Sequence, residues 1–70
     1  PNPTKGYLNI DNTYNSNYSI TLIDITGKPL LYKENNRGSI KLDIAEIISG
    51  LYILRIDSYN QSLYKKIIIE

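Results

Sequence analysis

Cysteine, histidine, methionine, phenylalanine and tryptophan are all absent from this chain. Without cysteine there is no disulfide staple and no thiolate metal site. Without histidine the usual general base and the commonest metal ligand are missing. The core must then be built from isoleucine, leucine and tyrosine. Long apolar runs are lacking too. The longest purely aliphatic one, Ile67-Ile68-Ile69, falls far short of the roughly 20 residues of a membrane-crossing helix. No charge of one sign dominates, since eight basic residues face seven acidic ones for a net charge of +1. The basic residues stand singly or in the pair Lys65-Lys66. That spacing suits a solvated surface better than a phosphate-binding stripe and argues against a nucleic-acid partner.

What is present fits one small domain over residues 1–70. At this length only about 60% of the unfolded surface can be buried, so stability should be modest. The chain opens at Pro1 rather than methionine and reads as a piece of a longer protein, so the lack of a leader says nothing about destination. The absence of cysteine fits either a reducing compartment or an exported bacterial protein.

Apolar residues recur at a spacing of two almost throughout, and no stretch holds a helical stripe. Tyr7 to Ile10 reads as a first short strand with Leu8 and Ile10 inward. Asp11 to Asn17 is polar and asparagine-rich, as a turn would be. Tyr18 to Ile25 alternates as a second strand, and Thr26-Gly27-Lys28 is a tight turn with Gly27 free to take positive φ. Pro29 to Glu34 is the returning strand, with proline tolerated at its first position. After the loop Asn35 to Gly38, Ile40, Leu42 and Ile44 alternate as a fourth strand. Ala45 to Ser49 could make one helical turn but is too short to stand alone. Leu51 to Asp57 is the strongest strand, with Tyr52, Leu54 and Ile56 on one face. Ser58 to Gln61 turns the chain into a closing strand from Ser62 to Glu70. Six or so short strands without helices predict an all-β fold, a small antiparallel Ig-like sandwich, with a partly open barrel as the second choice.

The segment Ile47-Ile48-Ser49-Gly50-Leu51-Tyr52 places a tyrosine two residues after a glycine at the start of a strand. That spacing suits a tyrosine corner, in which the phenol bonds a backbone group a few residues upstream.

Groups for catalysis are few. Asp24, Asp43 and Asp57 sit at or near strand ends, where aspartate commonly forms turns, and a sandwich of this size has little room for the cleft that a carboxylate pair needs. A nucleophilic serine would have only lysine as a base. The one Ser-x-x-Lys match, Ser62 to Lys65, lies in an extended strand, where residues three apart face opposite sides. Asp11 to Asn15 is rich in oxygen ligands but lacks the glycine and the bidentate acid of a calcium loop. No enzyme, metal or cofactor is expected. The seven tyrosines are good strand residues in a chain without other aromatics. Exposed ones would also suit a surface-binding module for carbohydrate or protein.

Three separated patterns are more specific. The chain begins Pro1-Asn2-Pro3-Thr4-Lys5-Gly6, contains Gly50-Leu51-Tyr52-Ile53-Leu54-Arg55-Ile56, and ends Lys65-Lys66-Ile67-Ile68-Ile69-Glu70. With the turn Asp24 to Lys28 between them, these patterns closely resemble, over the whole chain, the type A C-terminal sorting domain of the type IX secretion system of Bacteroidota. The resemblance implies a secretion signal behind an N-terminal cargo. The type IX translocon and its outer-membrane shuttle protein read it in the periplasm, and the cargo is secreted or held at the cell surface. In many such cargoes a sortase-like peptidase removes the domain, here at a point expected upstream of Pro1. The recognition elements that the resemblance implies are Pro1, Pro3 and Gly6, then Gly50 and Tyr52, then Lys65, Lys66, Ile67, Ile68, Ile69 and Glu70. The prolines would stiffen the approach to the first strand. A last strand at a sheet edge would be available for strand addition, with Lys65 and Lys66 making charge contacts or only discouraging unwanted pairing.

Overall fold

A computed structural model describes residues 6–10, 17–59 and 61–70. Six strands are present: β1 (Tyr7–Ile10), β2 (Tyr18–Asp24), β3 (Pro29–Asn36), β4 (Ile40–Asp43), β5 (Gly50–Ser58) and β6 (Gln61–Ile69). No helix occurs among the described residues. β1 and β4 form a two-stranded antiparallel sheet. The other four strands form a sheet in the order β3-β2-β5-β6, with every pair antiparallel.

Alternation explains how the two sheets meet. On successive strands every second residue points inward, and those positions carry the core: Leu8 and Ile10, Tyr18, Ile20 and Leu22, Leu42, Tyr52 and Leu54, Ile67 and Ile69, joined by Ile44 just after β4. Residues from both sheets form this one cluster, so the expected small sandwich is what the chain builds. Each buried leucine or isoleucine contributes about 1.5–3 kcal/mol over leaving it in water.

The β2–β3 hairpin turns where the aspartate directs. The Asp24 carboxylate accepts bonds from the Thr26 N–H at 2.9 Å, the Thr26 hydroxyl at 2.6 Å and the Lys28 N–H at 3.0 Å. Gly27 adopts a φ of 93°, a left-handed value that costs glycine nothing. The turn therefore starts one residue before the expected strand end, and Ile25 is left exposed on it.

Several other boundaries shift outward because pairing outlasts the apolar pattern, while β4 stops at Asp43, one residue before Ile44. β3 runs two residues past Glu34, and β5 gains a residue at each end. β6 begins at Gln61 because Gln61 already pairs with Ser58, and it stops at Ile69, one residue before Glu70. Ala45 to Ser49 forms turns and bends: the Ala45 N–H bonds the Asp43 carboxylate at 3.0 Å, and the Ile47 N–H bonds the Ile44 carbonyl at 3.0 Å. Residues 11–16 of the expected turn Asp11 to Asn17, with its oxygen-rich stretch, lie outside the described residues, as do Pro1 and Pro3.

Candidate functional site

The structure brings two of the three sequence patterns together. β5 and β6 pair over nine successive positions without a register shift, and within that ladder Gly50 faces Ile69 and Tyr52 faces Ile67. The glycine–tyrosine pattern and the isoleucine-rich end are thus cross-strand neighbours. Gly6 is placed elsewhere: its carbonyl accepts the Ile44 N–H at 2.9 Å and ties the start of β1 to the end of β4.

Tyr52 is buried, and its hydroxyl donates to the Ile48 carbonyl. The expected tyrosine corner is therefore present, and it pins the segment leading into β5. Gly50 carries a φ of 158°, which side-chain-bearing residues rarely adopt, and a methyl added there would only touch the Tyr52 ring, at 3.6 Å. Backbone conformation, more than lack of space, selects glycine there.

Within β6, alternation divides the end of the chain into two faces. Ile67 and Ile69 are each 2% exposed and anchor the strand in the core. Lys65 lies on the same side but beyond the core, at the surface. Tyr64, Lys66 and Ile68 point to the opposite, outer face, and all are exposed. Sequence reasoning missed a network on that outer face. The Arg55 guanidinium contacts the Asp57 carboxylate at 3.1 Å and lies 5.9 Å from the centre of the Tyr64 ring, while the Ser62 hydroxyl donates to Asp57 at 2.6 Å. The Ser62 hydroxyl, and then Arg55, hold the Asp57 carboxyl below the usual carboxylate range. The signal was available in the same-face spacing of Arg55 and Asp57 and in the hairpin that sets Tyr64 and Ser62 opposite them.

Tyrosines divide unevenly. Tyr18 and Tyr52 are buried, and each donates its hydroxyl to a backbone carbonyl, Tyr18 to that of Gly38 at 2.5 Å. Tyr7, Tyr32, Tyr59 and Tyr64 are exposed, and Tyr14 lies outside the described residues. Tyr32 and Tyr59 border a shallow polar hollow of about 330 Å³ together with Glu34 and Asp57. The Tyr32 hydroxyl bonds Glu34 at 3.2 Å, and Asp57 is engaged as described above.

The position of β6 matters most. Among the described residues its one neighbouring strand is β5, so it lies at an edge of the sheet. The model of the secretion system C-terminal sorting domain family matches residues 1–70. The chain belongs to that family. No curated protein matches it. Membership makes this a type IX sorting domain, a signal that sends its carrier to the cell surface or out of the cell, in a family of signals rather than of enzymes. In this sorting domain the glycine–tyrosine corner braces β5, and β5 in turn holds the final strand in its edge position.

Proposed function

We propose that the domain is read by strand addition: an extended segment of the translocon, or of its outer-membrane shuttle protein, pairs with the outer edge of β6 along Gln61–Lys65. The family supplies the role, and the observation that carries the mode of reading is the regular nine-pair ladder ending at an edge strand. Backbone groups along such an edge offer affinity, and alternate side chains offer specificity. Pro1, Pro3 and Gly6, Gly50 and Tyr52, and Lys65 to Glu70 are the residues we assign to recognition. Gly50, Tyr52, Ile67 and Ile69 serve it by shaping and anchoring the strand, while Lys65, Lys66 and Ile68 present surface. A sortase-like peptidase then separates the domain from its N-terminal cargo.

Deleting Lys65 to Glu70 would remove Ile67 and Ile69 from the core as well, so it tests folding and recognition at once. A sharper test uses two prolines. Successive N–H groups of a strand point to opposite sides, so one of Tyr64→Pro and Lys65→Pro removes a bond to β5 while the other caps the outer edge. The variant that keeps the parental melting curve is the edge-capped one. Fused to a reporter in a type IX-competent cell, it should leave the reporter inside. Parental export of that folded variant would overturn strand addition.

A second reading, a carbohydrate-binding surface, rests on the hollow beside Tyr32 and Tyr59. Its two carboxylates already hold internal bonds, which leaves it the weaker of the two. Binding of a glycan by the isolated chain, lost in Tyr59→Ala, would favour it.

A further inference from the structure

Among the described residues, the sandwich does not close on the β6 side. β1 has four residues against nine in β6, so the smaller sheet covers only part of the larger. Between them lies a cleft of about 140 Å³ with Leu8, Asn9, Ile10, Leu54, Ile56 and Ile67 along it and Lys65 as its one charged residue. Ile56 is half-buried and Lys65 is exposed, so the opening lies where those two residues meet solvent, on the core side of the β6 edge.

The geometry points to a socket for one inward side chain of the segment that adds to β6, an aliphatic or aromatic residue with a carboxylate neighbouring it on the same face. This inference rests on strand addition as proposed above and names the partner's chemistry. In an added strand every second side chain points toward the opposite sheet, and beside Lys65 that direction leads into the cleft. Size sets the class of occupant. A cavity of about 150 Å³ holds a benzene-sized group, whereas pockets for free ligands run to about 300–1,000 Å³. One apolar side chain fits, and a whole metabolite does not. The charge sets the rest: a cationic rim beside walls made mainly by aliphatic side chains attracts a carboxylate and disfavours a lysine or arginine at the same place. The occupant is therefore a segment of the secretion machinery carrying an apolar residue and an acidic one two positions apart.

Ile56→Trp fills the cleft from within while leaving the β6 edge untouched, and Lys65→Glu reverses the rim charge at an exposed position. Each is fused behind the same reporter, and its melting curve is compared with that of the parent. Both should lower the exported fraction by about tenfold, equivalent to about 1.4 kcal/mol of recognition, and Ile56→Val should export as the parent does. Parental export of a folded Ile56→Trp, while the folded proline variant is blocked, overturns the socket and leaves strand addition standing. If Ile56→Trp melts early, Lys65→Glu decides, and its parental export overturns the inference. A purified chain that dimerises, and that Ile56→Trp renders monomeric without loss of export, would assign the cleft to a second copy and also overturn it.

Discussion

Among the described residues the four-stranded sheet ends in β3 on one side and β6 on the other, and the two edges are built differently. β3 opens with Pro29, and its pairing with β2 slips register twice, between Tyr18 and Ile20 and between Leu22 and Ile23. Proline and bulges are devices that spoil an edge for a foreign strand. β6 has neither: its nine pairs with β5 run in unbroken register. Lys65 and Lys66, one on each face, are charges of the kind that discourage unwanted pairing. Anchoring differs as well. β6 places Ile67 and Ile69 fully in the core, whereas Leu30 and Leu31 of β3 are half-buried and pack against it. One edge is irregular and lightly held, while the other is regular in register and firmly held. A strand meant to be read by another protein needs the second set of properties, because a regular edge presents its backbone groups in ladder spacing.

The largest effect should come from the anchors. Ile67→Ala should cost about 2–5 kcal/mol, while Leu31→Ala in the opposite edge should cost about 1 kcal/mol, both read from urea unfolding. Equal losses would mean that the two edges are held alike. Next is the brace behind β6. Tyr52→Phe removes the bond to the Ile48 carbonyl and should lower stability by about 0.5–1.5 kcal/mol. No change in the unfolding midpoint would show that the corner contributes nothing to holding β5.

The contrast in regularity predicts a difference in self-association. Replacing Lys65 and Lys66 with valine together should give a chain whose sedimentation coefficient rises with concentration. The same change at Lys33 and Glu34 in β3 should leave a monomer, because the register shifts persist. Association through β3 alone would reverse the assignment of the two edges.

The smallest effect belongs to Asp57, which joins β5 to β6 through Ser62. Its carboxyl is held below the ordinary value in the folded chain, first by the Ser62 hydroxyl and then by Arg55. A group whose folded pKa is depressed contributes stability above its unfolded pKa, about 3.9, and loses that contribution as pH falls through the folded value. Asp24 is lowered too, chiefly by the Thr26 hydroxyl and the Lys28 N–H, and adds a fall of the same sign. The melting temperature should therefore drop below about pH 4, and Asp57→Asn should flatten part of that drop. The gain is small, since ion pairs at the surface are screened by water and salt. An unchanged slope in Asp57→Asn would show that the network is decorative.

Much of this was legible in the chain. Strands, the Asp24 turn and the Tyr52 corner are local matters: period-two alternation selects the inward residues, and an aspartate, a glycine or a tyrosine at a fixed offset closes its own backbone bonds. Those features appear within a residue or two of where the sequence places them. The family resemblance was legible for a related reason, because its motifs are short and lie in fixed order along the chain. The fate of the tyrosines was harder to read. A tyrosine suits either face of a strand: alternation with Ile20 and Leu22, and the corner spacing, turn Tyr18 and Tyr52 inward, whereas the exposure of Tyr32 and Tyr64 depends on what each strand packs against.

By itself the sequence determined which segments are extended and which side chains each turns inward, since both follow from neighbours within a few residues. It did not determine who stands beside whom. That β6 lies outermost among the described strands, that Gly50 and Tyr52 face Ile69 and Ile67, that Arg55 meets Tyr64, and that a cleft opens between β1 and β6 were all decided by pairing between distant segments. Such pairing depends on how every strand shares one core, and no local spacing encodes it.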